Sequence, residues 1–155
     1  MEIVFLGTSC AVPTKERNHT SFFVSFKGEG ILLDCGEGTQ RQLKIAGIRP
    51  TRITKILISH WHGDHVLGIP GLISTLGIME YTKTLKIYGP KGSKSHMNFM
   101  LKGISDKLPV KMEIKEVNEG RIYDGKDFYI EAAALEHFGP TIGYKLVEKD
   151  RRRIN

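Results

Sequence analysis

Residues 59–65 read Ser59-His60-Trp61-His62-Gly63-Asp64-His65, and this window holds three of the chain's six histidines. It follows directly on Ile56-Leu57-Ile58, an apolar run of the kind that forms a strand buried on both faces. His60 and His62 are two positions apart, so in an extended segment they project to the same side. Imidazole nitrogen suits zinc, and a carboxylate such as Asp64 can complete a hydrolytic site. Gly63 lets the backbone turn sharply, so Asp64 and His65 can face a second point nearby. Two metals about 3.5–4 Å apart would clamp a phosphodiester and ionise a shared water.

Outward from this window, short apolar runs alternate with turn signals. Strands are predicted over residues 2–6, 21–26, 31–35 and 55–59, with Lys27-Gly28-Glu29-Gly30 as a hairpin turn. After Gly36 the pattern is helical to Ala46, and Gly47 stops it. Further helices are predicted over residues 69–81 and 94–104. Strands are predicted over 84–88, 110–117, 128–135 and 141–148. Strands interleaved with helices make this an α/β chain. His137 stands at the end of the 128–135 strand, in Leu135-Glu136-His137-Phe138-Gly139-Pro140, where it can supply the distant third ligand that a His-x-His pair needs. His19 and His96 have no such context and read as surface or packing residues.

A chain of 155 residues is long enough to bury a core as one domain. Lys and Arg number 23 against 17 Asp and Glu, a net charge of +6 that favours polyanions, RNA among them. The densest basic run is Lys149-Asp150-Arg151-Arg152-Arg153. No stretch is apolar enough to span a membrane, and the first residues lack the pattern of a signal peptide. Two cysteines, Cys10 and Cys35, make no disulfide framework and read as small buried hydrophobes in a cytoplasmic protein.

The cluster resembles the metallo-β-lactamase superfamily, and the residues around it resemble ribonuclease Z, the tRNA 3′-processing endonucleases. The resemblance is carried by Phe5-Leu6-Gly7-Thr8 with Pro13-Thr14-Lys15-Glu16-Arg17-Asn18, and by Leu33-Asp34-Cys35-Gly36-Glu37-Gly38-Thr39-Gln40. It continues in His65-Val66-Leu67-Gly68-Ile69-Pro70-Gly71-Leu72, Leu135-Glu136-His137 and Gly143-Tyr144-Lys145-Leu146-Val147-Glu148. It implies an αββα sandwich, of which this chain holds the N-terminal βα half. It implies that His60, His62 and His137 bind one zinc and that Asp64 and His65 contribute to a second. Asp64 would also orient and deprotonate the attacking water. Asp34 would support the metal loop by hydrogen bonds, and Lys15, Arg17 and Asn18 would hold substrate phosphates.

Members of that family are about twice this length, and no second His- or Asp-rich motif follows His137. The ending Arg152-Arg153-Ile154-Asn155 reads as an interruption. A His₃ set with an open position suffices for one catalytic-type zinc, whereas Asp64 and His65 alone leave the second zinc short of ligands. The first ion should therefore bind better. An apolar sheet face left uncovered should drive homodimerisation or association with the missing half. The leading expectation is a zinc-dependent endoribonuclease that cuts 3′ trailers from precursor tRNA by metal-activated water attack. The alternatives are a small-molecule phosphodiesterase or ester hydrolase with the same metals, and a catalytically inactive zinc- or RNA-binding fragment.

Overall fold

The computed structural model describes residues 1–104 and 110–150. The arginine run at 151–153 lies outside the described residues. Nine strands and four helices are formed among those described. They are β1 (Glu2–Gly7), β2 (Ser21–Phe26), β3 (Glu29–Leu33), α1 (Thr39–Ile45), β4 (Ile53–Leu57), α2 (Gly63–Val66), α3 (Ile69–Ile78), β5 (Leu85–Gly89), α4 (Ser93–Lys102), β6 (Met112–Glu116), β7 (Gly120–Asp124), β8 (Phe128–Leu135) and β9 (Thr141–Glu148). A single 3-10 turn, Pro50–Arg52, leads into β4.

Two sheets form. The larger runs in the order β1-β2-β3-β4-β5-β6, and the smaller in the order β7-β8-β9. β1 to β3 pair antiparallel, whereas β3 to β6 run parallel. Leu32, Ile56, Ile58, Ile87 and Phe23 pack beneath the helices, joined by Leu43 of α1, Leu72, Ile73 and Leu76 of α3, and Met97 and Leu101 of α4. On α3 the buried positions are 69, 72, 73 and 76, the spacing of one helical face. Fully burying Leu72 or Leu76 contributes about 2 kcal/mol each. The opposite face of the large sheet gives Val24, Phe26, Ile31, Leu57 and Tyr88, which meet Phe128 and Ile130 of the small sheet. The layers run helix, sheet, sheet, within the αββα architecture the resemblance implied, but the second face of the large sheet, expected to lie uncovered, is packed on the chain's own small sheet.

The intersheet layer also holds a cation. Lys55 of β4 is buried, its Nζ lies 2.7 Å from Glu29 Oε2, and it sits 4.1 Å from the centre of the Tyr123 ring on β7. Burial pulls the Lys55 ammonium below its ordinary range, against the pull of Glu29. Burial alone would raise the Glu29 carboxyl, but its bonds to Lys55 and Thr54 and the charges of Lys55 and Lys83 hold it below its ordinary value.

The structure departs from the sequence reading in several places: β3 begins at Glu29, inside the expected hairpin turn, and β4 spans Ile53–Leu57 instead of 55–59. α3 stops at Ile78, short of residue 81, because Glu80 turns left-handed (φ 53°) and the Tyr81 amide reaches back to the Leu76 carbonyl at 3.0 Å. That is the usual helix-ending turn, formed here without a glycine. β7 has no counterpart among the predicted strands. Cys35 is buried, its thiol pushed up to about 12 by desolvation, whereas Cys10 is exposed.

Candidate metal centre

Parallel β3 and β4 end side by side, and the loops beyond them build the site. Leu33 opposes Leu57 in the register. Past these ends the Asp34 amide donates to the Leu57 carbonyl at 2.9 Å, and the Cys35 amide to the His65 carbonyl at 2.7 Å. The Gly68 amide donates to the Cys35 carbonyl at 2.9 Å. The two loops approach so closely that a methyl group on Gly68 would collide with the Gly36 carbonyl, and one on Gly36 with the Asp64 carbonyl. Asp34 itself is left-handed, with φ 54°. A strained residue of this kind persists only where its surroundings hold it, and here the holding contacts lead to the histidines.

The Asp34 carboxylate accepts from the Ser59 amide at 2.7 Å, from the Ser59 hydroxyl at 2.8 Å and from His65 Nδ1 at 2.7 Å. A carboxylate only accepts, so His65 carries a proton on Nδ1 and presents Nε2 to the cavity, 3.5 Å from Asp64 Oδ2. The Ser59 hydroxyl spends its proton on Asp34 and lies 2.9 Å from His60 Nδ1, so His60 also donates from Nδ1 and keeps Nε2 free. Burial pulls His65 down, but the hydrogen bond and charge of Asp34 and the charge of Asp64 outweigh it and raise its pKa. His60 moves the other way: burial, then the neighbouring His65 and His62, bring it down to about 4. It is therefore a neutral imidazole at neutral pH, the form that ligates a metal.

His137 arrives from the small sheet. β8 and β9 pair throughout their lengths, and their hairpin docks on the metal loop through two bonds. The Ile142 amide donates to the Ser59 carbonyl at 2.9 Å, and the Tyr144 hydroxyl to the Ile58 carbonyl at 2.8 Å. Desolvation raises the Tyr144 hydroxyl far above its ordinary range and keeps it a donor. The ligand nitrogens of His60, His62 and His137 then lie within 4.8 Å of one another, with His60 buried and the other two exposed. Three imidazole nitrogens brought together from two loops form a donor set that fits a single metal ion.

A cavity of about 640 Å³ opens over this cluster, lined by Cys10, Ala11, Asp64 and His65 besides the three histidines. Asp64 and His65 stand on the short helix α2, whose first turn replaces the sharp bend expected at Gly63. Among the described residues, no third ligating group joins Asp64 and His65 as His137 joins His60 and His62.

Of the residues expected to hold phosphates, Lys15 and Arg17 are exposed on a tight turn closed by the Thr14 hydroxyl, which accepts the Arg17 amide at 3.0 Å. Neither lines the cavity. Asn18 braces the loop after β3, donating to the Glu37 carbonyl at 2.7 Å. His19 is a packing residue, as expected, its Nε2 buried without a hydrogen-bond partner among the described residues. His96 is exposed, and its ring stacks on Trp61 at 4.9 Å. Two residues that sequence reasoning missed are Ser59 and Tyr144. Ser59 precedes the first histidine, where a small hydroxyl residue at a strand end was the available signal.

The family described as "Anti-Pycsar protein Apyc1" matches residues 1–147. The chain belongs to that family. Among its relatives is a ribonuclease Z of Methanothermobacter thermautotrophicus, 43% identical over 154 residues, which cover 99% of this chain and 50% of the relative. The crystal structure of human tRNase Z, short form, superposes with a TM-score of 0.89 at 32% identity, covering 97% of this chain and 66% of that one. The metallo-β-lactamase fold protein YhfI of Bacillus subtilis gives a TM-score of 0.76 at 16% identity, over 94% of this chain and 56% of that chain, and speaks for the fold alone. The sequence resemblance to ribonuclease Z therefore extends over nearly the whole chain, on a metallo-β-lactamase fold. The chain spans about half the length of the curated relatives it matches. No helix among the described residues is long and apolar enough to cross a membrane.

Proposed function

We propose that this chain carries half of the active site of a zinc-dependent endoribonuclease that removes 3′ trailers from precursor tRNA in the cytoplasm. The observation that supports it is the convergence of His60, His62 and His137 in a chain 43% identical to a ribonuclease Z. A zinc ion held by these three imidazoles would supply Lewis acidity and a water of lowered pKa. The remaining roles fall to the chain's own groups. Asp64, facing the cavity beside His65, orients the attacking water and takes its proton. Asp34 fixes the His65 tautomer and, through Ser59, that of His60. The scissile phosphodiester occupies the cavity above the cluster. Lys15 and Arg17 offer positive charge to the RNA backbone from outside the cavity, and Asn18 keeps that loop in place.

Asp64 and His65 form the start of a second zinc site whose other ligands lie elsewhere, in a second copy or in the rest of a longer protein. The same addition would cover β1. Ile3 is 54% and Phe5 69% exposed on the face that, one strand over, continues into buried Val24. Association in solution follows from that face.

A second reading rests on the same histidine cluster, which serves a small phosphodiester as well as an RNA one. It makes the same site a small-molecule phosphodiesterase. The test is cleavage of a 3′-extended precursor tRNA by the zinc-loaded protein, joined with the remaining half where the chain alone is silent, in competition with a model phosphodiester. Trailer release, with tRNA inhibiting hydrolysis of the model ester, supports the nuclease. Ester hydrolysis indifferent to tRNA supports the second reading.

A further inference from the structure

Beside the histidine cluster, and sharing His62 with it, lies a smaller cavity of about 170 Å³, bounded by Trp61, His62, Lys91, His96, Phe138 and Pro140. Its walls include aromatic rings, and the Trp61 ring is anchored. Trp61 Nε1 donates to Ser93 Oγ at 2.8 Å, and the buried Ser93 hydroxyl donates to the Pro90 carbonyl at 2.6 Å. On this anchored indole the His96 ring lies nearly flat, with centroids 4.9 Å apart and planes 28° apart. Phe138, 89% exposed and next to the candidate ligand His137, also lines the cavity. Lys91 is exposed at the rim. The cavity shares His62 with the larger cavity over the histidine cluster.

A slot this small is below the size of a whole-ligand pocket and suits one planar ring. Ring-bearing walls attract a π-face, a lysine at the rim attracts a phosphate, and the chain as a whole carries +6. We propose that the slot receives one nucleobase of a single-stranded nucleic acid whose neighbouring phosphodiester lies at the histidine cluster, with Lys91 against the strand's backbone. The proposal rests on the nuclease reading and adds to it a base-stacking subsite. Every base has a π-face, so the subsite tolerates any base.

The test compares binding of a labelled short oligoribonucleotide with an abasic strand of the same length, followed by fluorescence anisotropy. Trp61 is the chain's sole tryptophan, so its emission reports on the slot directly. The base-bearing strand is expected to bind more tightly by roughly fivefold to a hundredfold, the span of stacking one base on an aromatic ring, and only that strand should change Trp61 emission. Phe138→Ala should remove this advantage while leaving abasic binding unchanged, and Phe138→Tyr should restore it. Lys91→Gln should weaken both strands and flatten their salt dependence. Equal binding of the two strands, or a Phe138→Ala protein that keeps the full advantage, overturns the subsite and leaves the nuclease reading standing. Binding of neither strand, or an emission change caused by an aromatic peptide and not by the oligonucleotide, overturns the subsite too. Trailer cleavage by that same protein then decides the nuclease reading separately.

Discussion

The amide of Ile142 donates to the carbonyl of Ser59 at 2.9 Å, and this bond fastens the hairpin that carries His137 to the loop that carries His60 and His62. The three imidazoles thus come from two sheets, and a metal ion among them would bridge the sheets. His137→Ala should therefore lower zinc affinity more than about 100-fold, beyond the 10–100-fold typical of a supporting residue. Zinc at 100 times its Kd should stabilise the unaltered protein by about 2.7 kcal/mol. Calorimetric melting with and without zinc checks both points, and a variant with undiminished affinity would remove His137 from the ligand set.

Asp34→Asn separates backbone strain from hydrogen bonding. Asparagine tolerates the left-handed conformation that Asp34 adopts at φ 54°. Its amide cannot accept from Ser59 and His65 as the carboxylate does. Zinc affinity should fall 10–100-fold while the metal-free melting temperature changes little. Asp34→Ala should lose affinity and, in addition, about 1 kcal/mol of stability from the left-handed backbone. A metal-free Asp34→Asn protein that is unfolded would refute the division.

Elemental analysis of the purified, zinc-loaded chain should give a zinc-to-chain ratio near one, since Asp64 and His65 lack a third ligand among the described residues. A ratio near two would show that a partner completes the second site. Light scattering on the same sample should show association, and Phe5→Lys on the exposed β1 face should reduce it. A strictly monomeric, non-aggregating wild-type chain would contradict the association.

Glu29→Gln should cost about 2 kcal/mol, less than the 3–5 kcal/mol for breaking a fully buried pair because Glu29 is partly exposed. Lys55→Met should cost less, because it removes the buried charge instead of stranding it. The pH dependence follows from Glu29, whose folded pKa lies below the ordinary 4.5. Its contribution to stability is present above that value and is lost as pH falls through the folded pKa. Melting scans below pH 4.5 should thus be shallower for Glu29→Gln than for the unaltered chain.

Much of this arrangement was legible in the residues themselves. The strands at 21–26, 128–135 and 141–148 form with the expected bounds, because apolar alternation and flanking turns agree there. The His-x-His-x-Asp-His window and His137 meet as their chemistry requires. β7, Gly-Arg-Ile-Tyr-Asp, carries too little apolar sequence to announce a strand, and pairing with β8 creates it. Lys55 was hidden inside an apolar run, since only the fold brings Glu29 and Tyr123 to it. Asn18 was read as reaching for phosphate, and its partner, the Glu37 carbonyl, is a backbone group that no side-chain pattern announces.

Asp34, the histidine loop and the Lys91–His96 segment each follow the end of one of three adjacent parallel strands, β3, β4 and β5. The strands end before these groups begin, although the Asp34 amide still bonds across to the neighbouring strand, at the Leu57 carbonyl. β3 leads to Asp34 and β4 to His60 and His62, while the segment after β5 touches the histidine loop through Trp61, which donates to Ser93. A change to the turn after β5 would therefore reach the histidines through that one indole.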